Sequence, residues 1–325
     1  MKVLITGSEG SLMQAVIPRL LAAGHQVVGV DNFFRYGKTQ RTRSYDFIEG
    51  DLTDAAFAAR AVKGVDGIIQ AAARIFGVRG FHKVPADILG CDVTLHQNIL
   101  KAAREQGVAK VCYISSSMVF ERCARHPSAE DDVFESLIPQ TDYGLSKLVG
   151  ERLSMAYARQ YGVKFVVWRP FNIITPYEKG EDEQGISHVF ADFVRALIFE
   201  KRNPLPILGD GQQIRCFTWI DDVASAIARF SFDAITDNQA YNLGNAEPIT
   251  MQQLAELIHA EAKVQGAIPA GAGELKFEYK PIYSDDVSIR IPRVDKAREQ
   301  LGWTATVKVK EAVKRCVAQA IKAGR

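Results

Sequence analysis

The chain has 325 residues, 47% of them hydrophobic and 24% charged, which suits a soluble globular protein of one large domain or two unequal ones. A formal net charge of +2 gives no electrostatic case for nucleic acid or an anionic membrane surface, and no apolar run is long enough to span a bilayer. The five cysteines, Cys91, Cys112, Cys123, Cys216 and Cys316, are scattered without C-x-x-C spacing, which argues against a disulfide framework and a zinc site.

Val3-Leu4-Ile5 is a short strand beginning so close to Met1 that no secretory leader is expected. With the cysteine pattern, this implies a reducing, cytoplasmic setting. Thr6-Gly7-Ser8-Glu9-Gly10-Ser11-Leu12-Met13 follows the strand, and apolar residues then recur at helical spacing at Leu12, Val16, Leu20 and Leu21. Gly24 closes that helix, and Val27 to Asp31 is a second strand. Strand, glycine turn, helix and parallel strand together predict a dinucleotide-binding unit. Gly7 and Gly10 let the backbone approach a pyrophosphate, and the amides of Ser11 and Leu12 open a helix N-terminus toward that anion. Asp31, with Asn32 beside it, ends the second strand, where a carboxylate accepts from a ribose 2′-hydroxyl and repels a 2′-phosphate. NAD is therefore favoured over NADP, a preference that Arg35 and Lys38 can soften.

After the irregular basic stretch 33–44, Asp46 to Leu52 reads as a strand ending in an acid. Asp51 and the Leu52 backbone either read adenine or, for Asp51, cap the next helix. Gly67 to Ala73 is a buried strand whose Ala71, Ala72 and Ala73 allow close approach of a cofactor or merely tight packing. Gly77 and Gly80 mark a flexible loop continued by Phe81 to Pro85. Asp87 to Glu105 is an amphipathic helix and Lys110 to Ile114 the next strand. The alternation predicts an α/β fold: a Rossmann-type doubly wound parallel sheet, with ligands beyond the strand carboxyl ends.

Beyond Ile114 come Ser115-Ser116-Ser117-Met118, and then Tyr143-Gly144-Leu145-Ser146-Lys147, opening a helix that runs to about Tyr161. Residues four apart share a helical face. A lysine ammonium there stabilises phenolate and lowers the tyrosine pKa, while a serine hydroxyl at the neighbouring strand end shares the proton with a substrate alcohol. From residue 165 the rhythm loosens: Trp168 to Asn172 ends a strand, a polar loop runs from Tyr177 to Gly185, and Ile186-Ser187-His188-Val189 starts a helix. Gly209 to Arg215 reads as a hairpin turn. A helix follows Thr250, and a basic-faced helix runs from Lys308 to the end.

The glycine turn, Asp31, Asp51-Leu52, the serines and Tyr143…Lys147 resemble the extended short-chain dehydrogenase/reductase family, in particular its nucleotide-sugar epimerases and dehydratases. So do Arg169-Pro170-Phe171-Asn172, Gly209-Asp210-Gly211, Trp219-Ile220-Asp221-Asp222-Val223, Tyr241-Asn242-Leu243-Gly244 and Leu301-Gly302-Trp303, so the resemblance covers essentially the whole chain. Met13 departs from it, standing where the family has a third glycine, which implies a slightly displaced helix. The resemblance implies an NAD-binding domain over 1–168 and a smaller C-terminal α/β domain over 169–325 that mainly binds a nucleotide-diphosphate sugar. It implies Tyr143 as base, Lys147 as its tuner and Ser116 as hydroxyl partner, aligned through Phe120, with Ser117 as the fallback or a substrate contact. Asn172 becomes a sugar or diphosphate contact, or a turn asparagine. Arg215 becomes a diphosphate clasp, or a salt-bridge residue, with Arg290 a weaker candidate for the clasp. His188 is either a second acid/base or a solvated helix start. A homodimer through helices 87–105 and 143–161 is also implied.

The family's branches differ just before Phe120. Dehydratases carry an acidic pair there, decarboxylases a glutamate at the position of Met118, and fucose synthases and mannose 3,5-epimerases a cysteine. Met118 has no exchangeable proton, and by elimination simple 4-epimerisation remains. The loop 73–85 and Ser187-His188-Val189 instead resemble the 3,5-epimerase and fucose-synthase branch, acting with His188 and with Cys123 or Lys179. A non-catalytic NAD-binding regulator, or a scaffold, is the reading outside enzymology.

Overall fold

Apolar runs separated by helical stretches cannot pair through tight turns, so successive strands come together in parallel. The computed structural model describes residues 1–38 and 41–324; Thr39 and Gln40 of the basic stretch, and Arg325 at the end of the last predicted helix, lie outside them. In the first half, the strands are β1 (Lys2–Thr6), β2 (Gln26–Asp31), β3 (Asp46–Glu49), β4 (Gly67–Gln70), β5 (Lys110–Ile114) and β6 (Lys164–Pro170). The helices between them are α1 (Met13–Ala22), α2 (Ala55–Val62), α3 (Val78–Lys83), α4 (Pro85–Glu105) and α5 (Asp142–Tyr161). The second half holds β7 (Ile173–Ile174), β8 (Leu205–Leu208), β9 (Ile214–Cys216), β10 (Thr218–Trp219), β11 (Gln239–Leu243), β12 (Pro248–Thr250), β13 (Phe277–Lys280) and β14 (Ile289–Arg290). Its helices are α6 (Val189–Val194), α7 (Ile220–Phe230), α8 (Met251–Val264), α9 (Asp295–Leu301) and α10 (Val309–Ala323).

The main sheet has seven parallel strands in the order β11-β6-β5-β4-β1-β2-β3. Side chains alternate across it: Val3 and Ile5 enter the core shared with α1 and α7, while Leu4 enters the core shared with α2 and α4. The chain runs outward from β1 to β2 and β3 and then crosses back to β4 on the other side of β1, so the crevice opens above the ends of β1 and β4. β11 returns from the C-terminal half to complete the sheet. The rest of that half forms three small sheets, β10-β7, β12-β9-β14 and β13-β8, packed beyond the carboxyl ends.

Several expectations change. The strands ending in Asp51 and Ala73 stop earlier, at Glu49 and Gln70, which frees the following residues to line the crevice. The loop 77–85 is mostly helix, α3 plus the first residue of α4. Its glycines serve close approach: a Cβ on Gly77 would lie 2.1 Å from the Ser187 carbonyl oxygen, and the Gly77 and Arg79 amides donate to Ile186 O (2.8 Å) and Gly185 O (2.9 Å). The segment 209–215 is a turn but not a hairpin. β8 pairs with β13, β9 pairs with β12 and β14, and Gly209 and Gly211, at φ +76° and +74°, carry the chain from one sheet to the other.

Candidate active site

The glycine turn sits where β1 meets the end of β4. Thr6 Oγ1 accepts the Ala71 and Ala72 amides at 3.1 and 3.0 Å. Gly7 has φ +66°, and a Cβ on it would lie 2.9 Å from Ala72 Cα, so only glycine fits. Among the described residues the Ser11 and Leu12 amides meet no backbone acceptor, leaving them aimed at the crevice. Met13 is 1% exposed and packs into the core between α1 and the sheet, taking up the space that a glycine would leave.

Asp31 Oδ2 accepts the Glu9 amide (3.0 Å) and Oδ1 the Phe33 amide (2.7 Å), while burial raises its pKa against these bonds. Arg35 pairs with Glu181 (2.5 Å) and the exposed Lys38 with Glu49 (2.7 Å), so each already has a carboxylate partner. Asp51 does not cap α2; Asp54 does, accepting the Ala56 and Phe57 amides. Asp51 instead binds the Thr53 amide and hydroxyl, both at 2.8 Å, and Asn32 Nδ2 at 3.3 Å. Asn98 holds the Leu52 carbonyl at 3.0 Å. Asp31, Asn32, Asp51, Leu52 and Ala71 to Ala73 thus line one cleft of about 140 Å³.

That cleft shares Gly7, Gly10, Ser11, Ala71 and Ala73 with a cavity of about 320 Å³ at the other side of the turn, which Leu12 also lines. Ser116, Ser117, Tyr143, Lys147, Asn172, His188, Arg215 and Arg290 all face this cavity. Ser116 caps the short turn Ser117–Phe120, accepts the Met118 amide (3.1 Å), and its hydroxyl acts to lower the Tyr143 pKa. Tyr143 lies in the first turn of α5, whose start is pinned by Glu121, which accepts the Gln140 and Thr141 amides at 2.7 and 2.9 Å. Phe81 of α3 stacks on the phenol with centroids 4.7 Å apart and planes 6° apart. Lys147 is buried, donates to Ile114 O at 3.1 Å, and holds Nζ 5.7 Å from the Tyr143 ring centroid.

The electrostatics differ from the expected pattern. Burial pushes the Tyr143 pKa up, opposed by the Ser116 hydroxyl, raised further by Asp92 and lowered by Arg290. Arg290 thus bears on the phenol from the far wall, while Lys147 Nζ lies 5.7 Å from its ring centroid. Lys147 is itself depressed by burial, with Asp92 and Glu151 opposing. Asp92, 4% exposed on α4, accepts Ser146 Oγ at 3.2 Å and the Arg74 amide at 2.8 Å. No motif in the sequence reading pointed to it.

On the far wall, Asn172 sits at φ +27°, donates Nδ2 to Cys216 O (3.0 Å) and accepts from Arg290 Nη2 (2.7 Å). These two contacts fix its amide at the cavity wall. Arg215 pairs with Asp286 at 3.4 Å, and burial beside Arg290 pushes its pKa down to about 9. His188, half-exposed at the start of α6, meets Glu178 through Nδ1 at 2.8 Å; desolvation disfavours the imidazolium, but the carboxylate prevails and raises the pKa. Below them Asp192, raised by burial to about 7, accepts the Gly185 amide at 2.7 Å and leaves Oδ1 unpartnered. Glu178 and Asp192 were not singled out from sequence, where an isolated acid carries no signal. Cys123 is placed away from the cavity, in a core cluster with Val119, Phe120, Val133 and Phe171, its thiol toward Arg125 O. Lys179 is exposed and does not line the cavity. Neither Cys123 nor Lys179 is among the residues lining the cavity that holds Tyr143. Among the described residues no cluster of side chains fit for a metal ion occurs, and no helix is long and apolar enough to cross a membrane.

A doubly wound sheet with a glycine cradle joined to a serine–tyrosine–lysine cavity defines a dinucleotide-dependent enzyme of the short-chain dehydrogenase/reductase type. The chain belongs to the NAD dependent epimerase/dehydratase family, whose model matches residues 3–244. It is 27% identical over 331 residues to UDP-glucuronate 4-epimerase of Thermodesulfobacterium geofontis, covering 97% of this chain and 94% of that one. Thermotoga maritima UDP-glucose 4-epimerase, solved with UDP-glucose, superposes with a TM-score of 0.84 at 26% identity over 100% of both chains. MoeE5 in complex with UDP-glucuronic acid and NAD gives a TM-score of 0.83 at 25% identity over 99% and 100%. Relatives of like identity also include a UDP-glucuronic acid decarboxylase, a GDP-L-fucose synthase and a GDP-mannose 3,5-epimerase. The cofactor is NAD, and the protein is an NAD-dependent enzyme of nucleotide-sugar epimerase/dehydratase type.

Proposed function

We propose that the protein is a nucleotide-sugar 4-epimerase. The observation that carries this reading is the meeting of Ser116, Tyr143 and Lys147 in one cavity with Met118 beside them, a side chain without a transferable proton. NAD, when bound, supplies the hydride acceptor and donor; Gly7, Gly10, Ser11, Leu12, Asp31, Asn32, Asp51, Leu52 and Ala71 to Ala73 hold it, with Lys147 on its ribose. Tyr143 takes the proton of the sugar 4-hydroxyl, with Ser116 Oγ bridging phenol and alcohol. The resulting 4-keto sugar turns in the cavity, and Tyr143 returns the proton after reduction on the other face. In this division residues 1–168 carry cofactor and chemistry, and 169–325 mainly carry the nucleotide sugar, with Ser117, Asn172, His188 and Arg215 as its contacts.

Turnover of a nucleotide-sugar panel in deuterated water tests the proposal. Inversion at C4 without deuterium on a ring carbon is expected. The Glu178–His188 pair favours one second reading, a 3,5-epimerase or epimerase/reductase in which His188 exchanges a carbon-bound proton; deuterium at C3 or C5 would establish that instead. A non-catalytic regulator has no use for the Ser116–Tyr143–Lys147 set, and turnover of any panel member excludes it. We also propose a cytoplasmic homodimer through α4 and α5, in keeping with five unpaired cysteines. Light scattering at twice the chain mass checks the assembly.

A further inference from the structure

Among the described residues the buried lysines and arginines are Lys110, Lys147, Arg169, Arg215 and Arg290. Three hold a carboxylate: Lys110 with Asp237 (2.8 Å), Arg215 with Asp286 (3.4 Å), and Arg169 with Glu151 through two parallel bonds of 2.8 and 2.7 Å. The other two, Lys147 and Arg290, have no ion-pair partner among the described residues, and both line the cavity. For Lys147, proximity to the phenol and cofactor cleft accounts for this. Arg290 bears on the Tyr143 phenol, but a phenol held neutral by burial supplies it no counter-charge.

Arg290 lies on β14, 8% exposed, in register with Arg215 on β9. One nitrogen donates to Asn172 Oδ1 and another touches Met118 Sδ, while the buried Nε has no acceptor. Asp286 and Glu121 act on it only from beyond ion-pair distance. An unpaired cation in a dry site is costly, and a guanidinium fork is shaped for a carboxylate. Its contact with Met118, two residues after Ser116, puts it at the hydroxyl-oxidising end of the cavity. The diphosphate role is left to Arg215, which stands beside Asp286.

We propose that Arg290 receives the C6 carboxylate of the sugar, making the substrate a nucleotide-linked uronic acid. The inference rests on the 4-epimerase reading and adds the substrate class. Occupying the fork with a charge removes the uncompensated cation, whereas a neutral hydroxymethyl group leaves it buried and unpaired.

The test uses the NAD-loaded protein with pairs that share a nucleotide: UDP-glucuronate against UDP-glucose, and GDP-mannuronate against GDP-mannose. One uronate should exceed its neutral partner in kcat/KM by about 100-fold or more. Arg290→Met should erase that preference and leave UDP or GDP affinity within about threefold; Arg290→Lys, which keeps charge but loses the fork, should fall between. The melting midpoint of Arg290→Met without substrate should not drop, which a purely structural arginine would not allow. A neutral sugar equal to or better than its uronate overturns the assignment while leaving 4-epimerisation standing. Equal loss of nucleotide affinity in Arg290→Met also overturns it, in favour of a diphosphate contact. Release of a nucleotide pentose would uphold the uronate and overturn 4-epimerisation, and failure of every pair to react overturns both.

Discussion

Tyr143→Phe removes one oxygen from a site whose shape the remaining ring still fills. The Phe81 stack at 4.7 Å involves only the rings, and Val84, Ile88 and Met118 pack around them regardless of the hydroxyl. Ser116 is the side-chain hydroxyl that bears on the phenol, and its oxygen keeps the Met118 amide in the variant. The stability change is therefore about 1 kcal/mol or less, since burial already disfavours a charged phenol and the variant has none to desolvate. Turnover is another matter: loss of the group that moves the substrate proton should lower kcat by roughly 10³-fold, or about 4 kcal/mol of barrier. The assay is product formation from a reactive nucleotide sugar, with bound NAD measured on the same preparation. A variant that keeps NAD and melts within a few degrees of the parent, yet turns over within tenfold of it, would refute the assignment of Tyr143 as base.

Gly7→Ala should lower both NAD affinity and stability, the latter by roughly 1–3 kcal/mol, because the new Cβ meets Ala72 at 2.9 Å with φ at +66°; calorimetric NAD titration and melting report the two effects. Asp192→Asn should stabilise the protein at pH 8 and not at pH 4. A folded-state pKa raised from 3.8 to about 7 destabilises the fold progressively as pH rises through that interval. The full effect is at most roughly 4 kcal/mol, and a pH series of melting midpoints should show the gain growing and then levelling above 7. Met118→Glu should yield no 4-keto-6-deoxy product, because Ser117 is also unsuited to dehydration and the new carboxylate would pair with Arg290. Mass spectrometry of products decides it.

Local chemistry made much of the cofactor half legible in the chain alone. A positive-φ glycine, a helix start and an acid at the next strand end lie within 31 residues, so spacing along the backbone already sets their geometry. The same holds for Tyr143 and Lys147, one helical turn apart. What folding alone decided involves residues far apart in sequence. Arg290 reaches Met118 across 172 positions, and α3 is held by carbonyls of Gly185 and Ile186 more than a hundred residues on. Burial reversed the expected effect on the tyrosine, since desolvation depends on the whole packed environment and not on the neighbour four residues away. Periodicity and spacing report what a short segment can do; which charges end up in the same dry cavity, and which stay unpaired there, is set only when the two halves close on each other.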